Sequence, residues 1–304
     1  MYRTYSDFLA ICFPGKKIQK LTIDAGFTCP NRDGTLGSRG CSFCNPESFT
    51  PAYCRRGLSI TDQIEAGKRF FAHKHRSEVS YLVYFQSYSC TYASLDVLRQ
   101  HYLEALSVPD VIGLVIGTRP DCITPAVLDL LKEIKTQMHT FVMLEIGVES
   151  CYDRTLQFIG RGHNFDCSRQ AIEYIAATDI PVGVHLILGL PGETSEAILH
   201  EADILSTLPI SVLKLHQLQI LRHTPMGEEW LLSHQSSQTA QPLSLNSYIS
   251  LVSRFVLRLR NDIALDRFVA ESPRSLLLAP CWGIKPQEVQ RMIDEEIIRL
   301  NRDN

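Results

Sequence analysis

The sequence has no apolar run long enough to cross a bilayer; its longest, such as 182–190, have the length of a strand. The apolar stretch 8–13 stops at Pro14-Gly15 and is too short for a secretory core, so a cytoplasmic protein with no membrane partner is expected. An excess of one charge is also missing. Lys and Arg number 30 against 33 Asp and Glu, a formal net charge of -3, so no global basic field marks a nucleic-acid binder. Any RNA partner would have to meet a local patch. No internal repeat or low-complexity tail is found. Without an export signal, the 10 cysteines read as thiols of a reducing compartment rather than a disulfide framework.

What is present is an ordinary globular composition, 45% hydrophobic and 21% charged, in a chain of 304 residues. That length suits one α/β domain or two modest ones. Short β-type runs at 20–25, 79–86, 111–117, 140–148, 181–189 and 212–219 alternate with amphipathic stretches. Those stretches fall at 59–74, 94–106, 125–135, 168–177 and 194–205, with apolar residues three and four apart, as in Leu95, Leu98, Tyr102 and Leu106. Thr61-Asp62, Thr124-Pro125 and Thr194 are plausible helix starts. Six strands alternating with helices argue for parallel βαβ units, closed as an open barrel or laid out as a doubly wound sheet. In both, ligands bind at the carboxyl ends of the strands.

The alternation stops near Arg222. A Ser/Gln/Thr/Pro-rich stretch at 234–245 reads as a loop, followed by a helix at 248–260, an apolar segment at 263–269 and a helix at 286–300. The expected division is a catalytic core over 1–222 and a small, mostly helical C-terminal extension over 223–304.

The strongest local signal is Cys29, Cys41 and Cys44 in the Gly- and Pro-rich loop 26–48, directly after the first strand. Gly34, Gly37 and Gly40 let the backbone fold back so that the three sulfurs converge. Three thiolates are one short of a closed site. An iron–sulfur cluster would keep one iron open, to be chelated by the amino and carboxylate groups of S-adenosylmethionine (SAM). Alternatively Cys54, ten residues on, completes a four-cysteine zinc site. Spacing alone leaves both readings open.

The long Cys-x11-Cys-x2-Cys loop with Phe43 resembles that of the radical SAM superfamily. It is most similar to the branch related to the tRNA-modifying catalytic subunit of Elongator, and there to the small bacterial YhcC/YtqA-like proteins. The resemblance runs over about 5–219 and again around 271–282. It implies a partial (β/α)6 TIM-like barrel of parallel strands, and a [4Fe-4S] cluster held by Cys29, Cys41 and Cys44. It also implies site residues. Gln86 and Ser87 stand where relatives carry a Gly-Gly-Glu-like turn to the SAM amino group. Gly117-Thr118-Arg119-Pro120-Asp121 resembles an Elongator-type Glu-Thr-Arg-Pro-Asp motif. Glu149 would meet the SAM ribose, Arg161 of Gly160-Arg161-Gly162-His163 the SAM carboxylate, and His185 the SAM pocket. On the residues alone, Arg119–Asp121 equally reads as a turn-holding pair, Glu149 as one end of an ion pair, and His185 as a core histidine. His216 or Gln219 is expected to point inward from the last strand.

The chemistry so implied is reductive cleavage of SAM to a 5′-deoxyadenosyl radical, fed by an external electron donor of flavodoxin or ferredoxin type. The implied partner is tRNA, with a wobble uridine as the modified group. Lys16, Lys17, Lys20, Arg32, Arg39, Arg55 and Arg56 could line the mouth with positive charge, and Arg254, Arg258 and Arg260 could form a second patch. The chain departs from the Elongator subunit in carrying no acetyltransferase domain and no second cysteine cluster. A small-molecule substrate and a zinc-stabilised RNA-binding module are the alternatives. Cys12, Cys54, Cys90, Cys122, Cys151, Cys167 and Cys281 are expected to be buried thiols.

Overall fold

The structure is a computed structural model that describes residues 2–54, 57–74, 78–233 and 240–302. Arg55 and Arg56 of the expected basic mouth, and 234–239 of the expected loop, lie outside the described residues.

The strands are β1 (Arg3–Thr4), β2 (Ile18–Ile23), β3 (Ser80–Phe85), β4 (Val111–Thr118), β5 (Phe141–Glu149), β6 (Val182–Leu188), β7 (Val212–Gln217), β8 (Ile220–Leu221), β9 (Ala264–Arg267) and β10 (Leu277–Ala279). The helices are α1 (Tyr5–Cys12), α2 (Ile60–Phe71), α3 (Leu95–Ser107), α4 (Pro125–Gln137), α5 (Asp153–Phe158), α6 (Phe165–Ala176), α7 (Ser195–Ser206), α8 (Pro225–Leu232), α9 (Leu245–Arg258) and α10 (Pro286–Arg302). No helix among the described residues is long and apolar enough to cross a membrane.

The six expected strands, β2 to β7, pair in parallel, and β9 and β1 extend the sheet to eight in the order β1-β9-β7-β6-β5-β4-β3-β2. This is the expected partial barrel, two short strands wider. Its curl is visible in a side-chain contact. Lys20 on the edge strand β2 reaches Asp266 on β9, near the opposite edge, at 2.9 Å.

Period-two alternation sorts each strand into two faces. Val142, Leu144, Ile146 and Val148 of β5 pack outward in the large core shared with the helices. Met143 belongs instead to a smaller cluster inside, with Leu82, Tyr84, Val115, Val212 and Ala264. Phe8 of α1 closes that inner cluster from below. Residues 8–13, too short for a secretory core, therefore lie mostly on α1, the short helix that stoppers the barrel. Thr4 and Asp7 form its capping box. Thr124 and Thr194 cap α4 and α7 as read from sequence, whereas Ser59 rather than Thr61-Asp62 caps α2.

The segment after β7 returns to the sheet. α9 buries Tyr248, Leu251, Val252 and Phe255, and α10 buries Val289, Ile293 and Ile297, all in the main outer core. Gln217 and Gln219 then lash the strand-exit segment of β9 to the barrel. The Gln217 amide both donates to Ala270 O (2.9 Å) and accepts from Ala270 N–H (2.7 Å), and Ser272 donates to Gln219 Oε1 at 2.7 Å.

Candidate active site

The loop after β2 is fixed by polar contacts that shape it around its cysteines. Arg32 N–H donates to Cys29 O at 2.7 Å, and Cys44 N–H to Cys41 O at 3.0 Å. The Arg32 guanidinium donates to Cys44 O at 2.6 Å and packs over Gly40, whose left-handed backbone (φ +76°) favours glycine. Asn31 Nδ2 donates to the carbonyls of Gly160 (2.8 Å) and Arg161 (3.1 Å), which ties the loop to the far side of the barrel mouth. It also stands 3.4 Å from Cys41 Sγ. Cys29, Cys41 and Cys44 all line one cavity of about 200 Å³ at the carboxyl ends of the strands, with Phe43 beside them. Burial, and then the neighbouring Cys41, push the Cys44 thiol up to about 11, so a metal must displace its proton on binding. Cys54 is outside this wall, its buried thiol donating to Thr22 O at 3.0 Å.

Arg161 lies against the same cysteines. Its Nη1 is 3.6 Å from Cys41 Sγ, its Nη2 donates to Gly147 O at 2.6 Å, and its ion pair with Glu149 spans 3.4 Å. Glu149 ends β5 with φ +68°, a left-handed turn that sets its carboxylate beside Arg161. Burial raises the Glu149 carboxyl pKa, against the pull of Arg161. A Cβ on Gly147 would meet both partners, Arg161 Nη2 at 2.5 Å and Glu149 Oε1 at 2.6 Å. Arg119 grips Asp121 through Nε (2.8 Å) and Nη2 (2.7 Å), and Nη2 also donates to Arg161 O. The pair read from sequence as holding the turn is therefore real, and Arg119 lines the cavity as well. Arg119 Nη1 and Arg161 Nε are buried without a protein acceptor, free to meet a ligand's oxygens.

Below this level the barrel interior is charged. Glu145, 1% exposed, accepts from Lys214 (2.6 Å), pairs with Lys20 at 3.5 Å and lies 2.7 Å from His185 Nε2. Asp266 takes the other side of both lysines, at 2.9 and 3.2 Å. Both lysines also lie over the Tyr84 ring, at 4.9 and 4.7 Å. Burial alone would raise both carboxyls; Lys20 and Lys214 outweigh it, holding Glu145 well below its ordinary value and Asp266 at about 2. Burial, reinforced by Lys214, drives His185 down to about 4, so it is neutral at pH 7. Its ring packs 5.6 Å from that of His216.

Of the residues singled out from sequence, Gln86, Glu149, Arg161 and His185 line the cavity with the three cysteines. Both His216 and Gln219 also face it. Ser87 is buried and off this wall, its hydroxyl 3.3 Å from Thr50 Oγ1. Lys20 corrects the expected basic mouth, because its charge is spent inside the barrel. Arg39 pairs with Glu228 at 2.7 Å, and Arg260 with Asp262 and the carbonyls of Ser206 and Leu208. Cys281 is exposed rather than buried, and Cys12 and Cys167 are half-buried. Lys214, Asp266 and Arg267 were missed. Their signal was available, since charged residues inside the apolar runs 212–215 and 263–269 must be paired or face a polar site.

Among the described residues, no three Cys, His, Asp or Glu side chains close on one metal ion. A cubane asks something different, because each thiolate takes its own iron. Three thiols on one cavity wall, beside two arginines with unused N–H groups, fit a three-thiolate cluster with SAM next to it.

The comparisons agree. The Radical SAM superfamily model matches 34–205 and the Radical_SAM C-terminal domain model matches 210–299. Protein YhcC of Escherichia coli K12 is 36% identical over 268 residues, covering 88% of this chain and 83% of that protein. Protein YtqA of Bacillus subtilis is 30% identical over 283 residues, covering 93% and 85%. In fold, the Methanocaldococcus infernus Elp3 structure matches with a TM-score of 0.65 at 14% identity, over 92% of this chain and 63% of that longer one. The superfamily model spans more than half of the chain, from within the cysteine loop through β6 and α7, and the chain therefore belongs to the radical SAM superfamily, enzymes that use a [4Fe-4S] cluster and SAM.

Proposed function

We propose that this chain cleaves SAM reductively at a cluster held by Cys29, Cys41 and Cys44, and that its substrate is a wobble uridine of tRNA. The observation that carries the first part is that the three thiols, Arg161 and Glu149 line one cavity. When bound, the reduced [4Fe-4S] cluster supplies the electron that splits SAM into methionine and a 5′-deoxyadenosyl radical. A flavodoxin- or ferredoxin-type donor would deliver that electron. The protein's own residues bind, orient and exclude water. Arg161 and Arg119 offer buried N–H groups to the methionine carboxylate, and Glu149 offers a carboxylate to the ribose hydroxyls. Gln86 presents an amide where relatives carry a carboxylate, and Phe43 shields the thiolates. The expected core 1–222 and extension 223–304 would act together, since Arg267, Ala270, Glu271 and Ser272 from the latter line the same cavity.

The tRNA part rests on similarity. Two tRNA uridine(34) acetyltransferases of Methanocaldococcus species match over 39% and 28% of this chain, at 27% and 31% identity. A second reading, a small polar substrate, is favoured by the lumen itself, a cavity of about 200 Å³ lined by charged side chains, while Arg39 and Arg260 of the expected basic surface are engaged in pairs. One assay addresses both. Anaerobically reconstituted protein is given dithionite and SAM, and 5′-deoxyadenosine is measured for wild type and Cys44→Ala, with and without tRNA. Product from wild type alone supports SAM cleavage, and stimulation by tRNA supports the substrate. A wild type that holds a cluster yet forms no product under either condition would overturn the proposal.

A further inference from the structure

The charges inside the barrel do not balance. Three cations, Lys20, Lys214 and Arg267, face two carboxylates, Glu145 and Asp266, with both carboxylates committed to the lysines. Among the described residues, no carboxylate lies within ion-pair distance of the Arg267 guanidinium. Its Nη2 donates to His216, at 3.0 Å from Nε2, a bond to a neutral ring rather than to an anion. Its Nε is buried with no acceptor at all. The nearby amide oxygens are turned elsewhere, Gln217 Oε1 accepting from Ala270 N–H and Gln219 Oε1 from the Ser272 hydroxyl. Glu271 stands at the exposed rim of the same cavity and makes no ion pair with Arg267.

The field of this lone cation is felt around it. Burial first, and then Arg267, hold His216 well below its ordinary value, so the ring next to the guanidinium adds no charge. Burial also lowers Lys214, to about 8, with Arg267 contributing. A half-buried guanidinium that faces the cavity and is itself the one cation left over once the two lysines and two carboxylates have paired is an oxyanion receptor without its oxyanion. Arg161 and Arg119 are a separate pair near the cysteines, each with its own carboxylate.

We infer that Arg267, with His216 beside it, binds the carboxylate or phosphate of a small substrate or co-substrate in the barrel lumen, at a subsite distinct from the SAM-facing arginines. This rests on the reading of the lumen as the substrate chamber. The anion would accept from the Nη edge of the guanidinium, bringing the interior to neutrality and fixing which end of the molecule points toward the cysteines.

The test is anion binding by the cluster-loaded protein without SAM. Sodium acetate and inorganic phosphate are titrated separately, at ionic strength held constant with chloride, and binding is read by calorimetry for wild type, Arg267→Gln and Arg267→Lys. Wild type should bind at least one anion saturably. Arg267→Lys should keep weakened binding, while Arg267→Gln should lose about tenfold or more in affinity. The better-bound anion tells carboxylate from phosphate. Equal binding by Arg267→Gln with its cluster intact, or none by wild type, would overturn the inference. Displacement of the anion by an anticodon-stem oligonucleotide would reassign the site to RNA backbone and overturn it too. Failure of 5′-deoxyadenosine formation with anion binding intact would instead remove the proposed activity and leave this subsite standing.

Discussion

Replacing Glu145 by Gln is the sharpest perturbation of the barrel interior. The carboxylate is 1% exposed and holds Lys214 at 2.6 Å, Lys20 at 3.5 Å and His185 at 2.7 Å. Glutamine keeps the shape and one acceptor oxygen but removes the charge, leaving Asp266 alone to balance both lysines. Breaking a buried ion pair by removing one partner costs about 3–5 kcal/mol, and that is the loss expected at pH 7. The sign follows from the pKa. Glu145 is held below its unfolded value, near 4.3, so its contribution is present above that pH and lost as pH falls through the folded value. The difference between wild type and variant should therefore be full at neutral pH and shrink under acid. Urea titration followed by circular dichroism measures it. Adding Lys214→Met removes the stranded charge as well, and the double variant should recover part of the loss. A single variant within about 1 kcal/mol of wild type at pH 7, or a double variant less stable than the single, would refute the reasoning.

Cys54→Ala should keep its cluster chromophore after reconstitution, because the thiol bonds Thr22 O away from the cavity, whereas Cys29→Ala, Cys41→Ala and Cys44→Ala should lose it; absorbance and iron content decide. Gly147→Ala should fold but cleave SAM poorly, since its Cβ would stand 2.5 Å from Arg161 Nη2 and 2.6 Å from Glu149 Oε1; unchanged 5′-deoxyadenosine formation would count against both residues as SAM contacts. His185 is held neutral down to about 4 while the unfolded residue titrates near 6.5, so the unfolded chain binds the extra proton and wild type loses stability as pH falls from about 6.5 to about 4. His185→Asn should flatten that slope, which denaturant midpoints across the range would record.

Strand positions, helix positions and the direction of pairing were legible in the residues, because alternation at two and at three to four residues is local. The cysteine loop was legible for the same reason, its three cysteines and turn glycines falling within 16 residues. Arg119–Asp121, a pair two residues apart, could also be read from the chain alone. The lumen was not. Lys20 looks like a surface residue in a basic stretch, and only the curl of the sheet, which brings its ammonium on β2 within 2.9 Å of the Asp266 carboxylate on β9, turns it into half of a half-buried pair. Asp266 and Arg267 sit in a short apolar run after a helix, and nothing local places that run beside β7 and back in the sheet. Likewise the choice of Arg161 and Glu149 as partners depends on a left-handed turn at the end of β5, meeting a loop twelve residues on. Local pattern determined the six central strands of the barrel and which cysteines gather in the loop above them. Closure of the sheet decided which charges face one another inside, because pairing across a lumen depends on distances in space that sequence separation does not encode.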